Sequence, residues 1–234
     1  MKKTIINLIG LGLIGGVNAA VIAPTSITGT IAGDAGSSVG DLISGSGLSA
    51  GLTGGETLAT AQATTHVLTG GGHTDSWTFG TTGGNPVFSI DLGSELSFGT
   101  IILWQYGNNG GPTATDAGNH TREFELIFHT AAEGSTFDFG TEAVEYSGTM
   151  SYIDAGGDDS SATNLGQAFQ FASVDAQYVG LRIVSNYGGQ PGITAGGDRY
   201  GLGEVRFATE AVPEPSSTAL LGLGGIALLL RRRK

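Results

Sequence analysis

The chain reads as an all-β protein, an antiparallel β-sandwich carried between two removable ends. Three observations predict this. From Pro86 onward apolar and polar residues alternate at period two, the pattern of strands with one face in a core. Glycine supplies 42 of 234 residues, about 18% against a usual ~7%, and it punctuates the alternating runs as turns. Between the two ends no stretch shows a sustained helical period, so strands must pack on strands.

Taken in order, residues 20–85 are rich in Gly, Ser, Thr and Ala and hold few aromatics. A strand candidate at 26–31 leads into the turn-rich run Gly40-Asp41-Leu42-Ile43-Ser44-Gly45-Ser46-Gly47. Phe88, Ile90 and Leu92 then share one face, with Ser89 and Asp91 on the other. Residues 98–106 are continuously apolar enough for a strand buried on both faces. Phe124, Leu126 and Phe128 alternate with Glu123, Glu125 and Ile127. Phe169 and Phe171 follow, and then Val179, Leu181 and Ile183 against Gly180, Arg182 and Val184. In the last strand Val205 and Phe207 alternate with Glu204 and Arg206.

Composition narrows the function. Ten Phe, 6 Tyr and 2 Trp are too many for a disordered tail. With no cysteine, the chain has no disulfide, Cys-ligated zinc or thiol nucleophile. A formal net charge of −11 argues against nucleic acid, whose phosphates need Lys and Arg.

Both ends read as addresses. Residues 1–19 have a secretory pattern: Lys2 and Lys3, an apolar stretch, then the small-residue site Val17-Asn18-Ala19. The glycine fingerprint spelled by residues 10–15 falls inside this removable segment with no strand before it, and is coincidental. At the other end, Pro213-Glu214-Pro215 precedes the apolar run 219–230 and the terminal Arg231-Arg232-Arg233-Lys234. Twelve helical residues reach only ~18 Å, short of a ~30 Å hydrocarbon core. Such a segment suits transient insertion in the inner membrane, its basic end staying cytoplasmic. Segment 212–234 resembles a PEP-CTERM sorting signal. The resemblance implies a Gram-negative, exopolysaccharide-producing host and an exosortase-type membrane enzyme that cleaves near the motif. The protein would then be released or transferred to the cell surface or extracellular matrix. Without its ends the domain 20–211 keeps four basic side chains (Arg122, Arg182, Arg199, Arg206) and 20 of the 21 acids, a net of −16.

The strand order of 20–211 resembles the discoidin family, a galactose-binding-like group. The matching pieces include Val87-Phe88-Ser89-Ile90-Asp91-Leu92-Gly93, Ile101-Ile102-Leu103-Trp104, Tyr178-Val179-Gly180-Leu181-Arg182-Ile183 and Gly201-Leu202-Gly203-Glu204-Val205-Arg206-Phe207. The resemblance implies a jelly-roll sandwich, commonly a non-catalytic carbohydrate-binding module. It also implies that the long loops after 98–106 and 177–185 share one end of the sandwich. Their shoulders hold Tyr106, Asn108, Asn109, His120, Arg122, Asn186, Tyr187 and Arg199. Sugar recognition needs apolar ring faces and planar polar groups that hydrogen-bond paired hydroxyls, and this set contains both. The bland alternative is that Arg122 and Arg199 pair with nearby acids while the tyrosines cover the core edge. A Ca²⁺ ion is also implied near the early loop and last strand, with Asp41 and Glu204 at comparable positions. Ser44 stands where that family usually has an acid.

Other constellations read as structural. His66, His73 and Asp75 lack the spacing of a zinc set and read as a polar loop. Asp154, Asp158 and Asp159 read as solvated, and Trp77 and Trp104 as core. Gly-x-Ser-x-Gly occurs at 36–40 and 47–51, neither between a buried parallel strand and a helix. The chain is therefore expected to be a secreted, non-enzymatic glycan- or exopolysaccharide-binding module. The competing class is a structural matrix or surface protein without a specific ligand; a hydrolase is a remote third.

Overall fold

A computed structural model describes residues 19–34, 36–67, 75–81, 84–106, 117–153 and 164–209. Residues 1–18 of the expected signal segment 1–19, the expected sorting helix 219–230, and Asn108, Asn109, His73, Asp154, Asp158 and Asp159 lie outside the described residues. So do Pro213, Glu214, Pro215, Arg231, Arg232 and Arg233.

Eight strands follow in order: β1 (Val21–Ile22), β2 (Ser26–Gly29), β3 (Trp77–Gly80), β4 (Val87–Gln105), β5 (Thr121–His129), β6 (Tyr146–Thr149), β7 (Gln167–Asn186) and β8 (Arg199–Ala208). All of their pairings are antiparallel. The runs expected as separate strands at 87–92 and 98–106 are one strand, β4, of 19 residues. Likewise 169–171 and 179–183 belong to β7, 20 residues long. These two strands join the layers of the sandwich. The first half of β4 pairs with β2 and the second half of β7, which also carries β5. The second half of β4 pairs with the first half of β7 and with β8, which carries β1 and β3.

Between the halves the β4–β7 register shifts, once between Asp91 and Leu96 and again between Phe98 and Thr100. Such irregularities bend a strand and raise its twist without ending it. Gly93 sits at the bend with φ +86, its N–H donating 2.7 Å to the Asp91 carboxylate.

The period-two faces fall where the sequence reading puts them. Phe88, Ile90, Leu92, Phe124, Leu126, Val179, Leu181, Ile183, Val205 and Phe207 all line one core, with Trp77. Strand β4 is buried on both faces after Phe98: Ile101 and Leu103 enter that core. Ile102 and Trp104 enter a second cluster with Val21, Leu52, Ala61 and Ala208. The Trp104 indole N–H donates to Thr64 O at 2.8 Å. One helix, α1 (Leu58–Ala63), departs from the helix-free expectation. Its six residues are too few to show a helical period, and the Thr57 hydroxyl caps it by accepting from Thr60 N.

Candidate functional site

The described shoulders of the two long loops meet at one end. Strand β4 runs out at Gln105, β5 begins at Thr121, β7 ends at Asn186 and β8 begins at Arg199. Thr121 pairs with Asn186, His120 bridges Gly201, and Tyr187 N donates to His120 O at 3.1 Å. Asn119, which the sequence did not single out, ties the loops together. Its buried side-chain oxygen accepts from Gly197 N at 2.7 Å and from Arg199 N at 3.3 Å. The loops touch through glycine: a Cβ on Gly118 would stand 2.6 Å from Gly197 N.

Several residues expected to face a ligand hold this end together instead. Tyr106, expected as an open ring face, is 2% exposed. It packs on Gly201, where a Cβ would come within 2.7 Å of its ring. Asn186 donates to Gly197 O and Arg199 O and accepts from Gly188 N. Arg199 pairs with Asp34 and, at 3.9 Å, with Asp198. Arg122 and Arg199 both pair with acids, as the bland alternative has it, and Tyr106 is buried against the fold.

What remains is a run of edge-to-face and tilted aromatic rings beside one arginine. His120 is 2% exposed, and among the described residues neither of its ring nitrogens has a hydrogen-bond partner. Burial alone drops its pKa to about 4, because a charged imidazole loses its water there. The His120 ring lies 6.3 Å from Tyr106 and 5.2 Å from Tyr152, and Tyr152 lies 5.3 Å from Tyr187. Tyr187 is half-buried and donates its hydroxyl to Met150 O. Burial raises its pKa, while the nearby Arg122 charge pulls it down. Tyr152 was not foreseen, since no alternation or motif surrounds it.

Arg122 is the least engaged of the four arginines. Arg182 pairs with Glu125 and lies 4.7 Å over the Phe139 ring, Arg199 pairs with Asp34, and Arg206 with Glu204. The Arg122 side chain makes one 3.5 Å ion pair with its neighbour Glu123, a third of it is exposed, and its guanidinium makes no hydrogen bond among the described residues. A guanidinium left with open donors can hydrogen-bond two adjacent acceptors in one plane.

The expected Ca²⁺ ligands do not come together as an open site. Asp41 accepts from Ser38 N at 2.6 Å, closing a capping box on a short 3₁₀ turn. Glu204 is fully buried, one oxygen taken by Arg206 and the other by Gly45 N–H at 2.9 Å. Among the described residues no group of three or more His, Asp or Glu side chains is placed to hold a metal. Of the polar loop expected at His66, His73 and Asp75, the described residues are buried. His66 is buried with Nε2 2.7 Å from Asp75 O, and the Ser46 hydroxyl is bonded to the Asp75 carboxylate. In this trio the hydroxyl meets a carboxylate, whereas serine activation needs it against the imidazole.

Comparison with known proteins identifies the C-terminal segment first. Residues 211–234 match PEP_exosort_dom, the PEP-CTERM protein-sorting motif. No curated protein matches the chain. Solved structures similar to it include the family 32 CBM of NanJ from C. perfringens, in complex with galactose. That match has TM-score 0.44 and 13% identity, covering 81% of this chain and 98% of the other. The CBM32 of AlyQ, in complex with 4,5-unsaturated mannuronic acid, matches with TM-score 0.43 and 13% identity, over 80% of this chain and 96% of that one. The lectin domain of Lectinolysin, complexed with Lewis B antigen, matches with TM-score 0.45 and 14% identity, over 81% and 96%. Among the described residues no helix is long and apolar enough to cross a membrane.

Proposed function

We propose that the loop end around Arg122 binds a glycan, and that the chain is a non-catalytic module displayed outside the cell. The observation that carries this reading is Arg122. It is an arginine with open donors beside an edge-to-face Tyr152–Tyr187 pair, while the other three of the domain are held by hydrogen bonds. Planar donors beside aromatic rings suit adjacent sugar hydroxyls and C–H faces. The acid excess of the 20–211 region favours a neutral sugar over an anionic one.

The sorting motif supports the same setting. An exosortase-type enzyme would process the C-terminus, with the apolar run 219–230 crossing the inner membrane only transiently. The module would then be left near exopolysaccharide at the surface. The competing reading, a structural surface protein, draws on Tyr106, Asn186 and Arg199 being taken up by the fold.

A glycan array probed with the full chain and with Arg122→Ala tests the proposal. Binding should appear for the unaltered chain and fall at least about tenfold in the variant. The melting temperature should stay the same, since Arg122 makes only one exposed ion pair. Equal binding by both chains, or by neither, overturns the placement.

A further inference from the structure

The last strand and the early loop meet around a buried charge. Glu204 and Arg206 point from the same face of β8, at 0% and 3% exposure. The Arg206 guanidinium donates from Nη1 to the Glu204 carboxylate and to Val205 O. Its Nε donates to Leu52 O at 2.9 Å, across 154 residues of chain. The second Glu204 oxygen accepts from Gly45 N–H, 159 residues away. Gly45 has φ +76, and a Cβ there would lie 3.3 Å from Arg206 Nη2. Glycine thus lets the loop backbone come close to the cation.

We propose that the Arg206 guanidinium is the cation of this corner, fastening loop 45–52 to β8 where the family resemblance implied calcium. The carboxylate and carbonyl oxygens around it already face a planar cation whose donors point at them. Calcium needs about six to eight such oxygens at roughly 2.3–2.6 Å. It would have to displace Arg206, because two cations side by side in a low-dielectric interior repel strongly. Asp41, the other expected ligand, is turned to its own turn's N-terminus. The domain therefore closes with its own side chain in place of a divalent ion. This inference is independent of glycan binding.

Thermal unfolding of the full chain, in EDTA and in millimolar calcium chloride, tests it. The unaltered chain should melt at the same temperature in both. Arg206→Met leaves buried Glu204 and Leu52 O without their donor, and should melt roughly 10 °C lower in EDTA. Calcium should restore part of that loss, by occupying the vacated oxygens. If Arg206→Met does not fold, Glu204→Gln should show the same fall, without recovery in calcium. The proposal is overturned if calcium raises the melting temperature of the unaltered chain. It is also overturned if Arg206→Met folds and melts unchanged, or if calcium does not raise its melting temperature.

Discussion

His120 and Glu204 are both buried, and burial moves them in opposite directions. His120 is held near 4 against an ordinary 6.5, so it stays neutral in the folded chain. The unfolded chain takes up that proton first. His120 therefore contributes stability that is present above pH 6.5 and lost as pH falls toward 4. Burial pushes Glu204 up to about 7 from 4.5, against the pull of Arg206. Its contribution is present below pH 4.5 and lost as pH rises through 7. The two contributions oppose each other across nearly the same window. Urea midpoints measured from pH 4.5 to 6.5 should separate them. Relative to the unaltered chain, Glu204→Gln should make stability rise with pH, and His120→Phe should make it fall. Two variants with the same slope would refute the assignment.

At the scale of elements, the bend in β4 decides the architecture. A flat 19-residue strand would serve one layer; the register shifts let β4 serve both. Gly93 is specific to this bend. Its φ of +86 disfavours any side chain, and a Cβ would lie 2.7 Å from Thr25 Cγ2. Gly93→Ala should cost about 1–3 kcal/mol in chemical unfolding. Adding Thr25→Ser removes the clashing methyl and should recover only part, since the backbone strain remains. Full recovery would place the whole cost in the clash. The sequence shows the alternation on either side of this glycine but reads the two runs as separate strands. An interruption in alternation looks the same whether the chain turns back or bends and continues.

The whole molecule separates its charges by address. Six of ten basic residues lie in the terminal segments 1–19 and 212–234, and 20 of 21 acids lie between them. If the terminal cluster orients the apolar run 219–230, replacing Arg231, Arg232 and Arg233 with Ala should block C-terminal processing. In an exosortase-containing host an immunoblot should then show only the longer precursor. Normal processing would detach the cluster from that role.

Sequence alone determined which faces are buried, because period-two alternation records a local property: the side of the strand each residue occupies. It determined Trp77 and Trp104 as core, the loop shoulders as neighbours of strand ends, and the C-terminal motif. Which polar side chains stay open was decided only by tertiary structure. Arg199 and Arg122 stand at equivalent shoulders, yet Arg199 meets Asp34, 165 residues away, while among the described residues Arg122 pairs with its neighbour Glu123. Glu204 and Arg206 alternate with core residues as solvent-facing charges would, yet the early loop folds over them. Alternation assigns a residue to a face, but what covers that face depends on contacts between segments far apart in the chain.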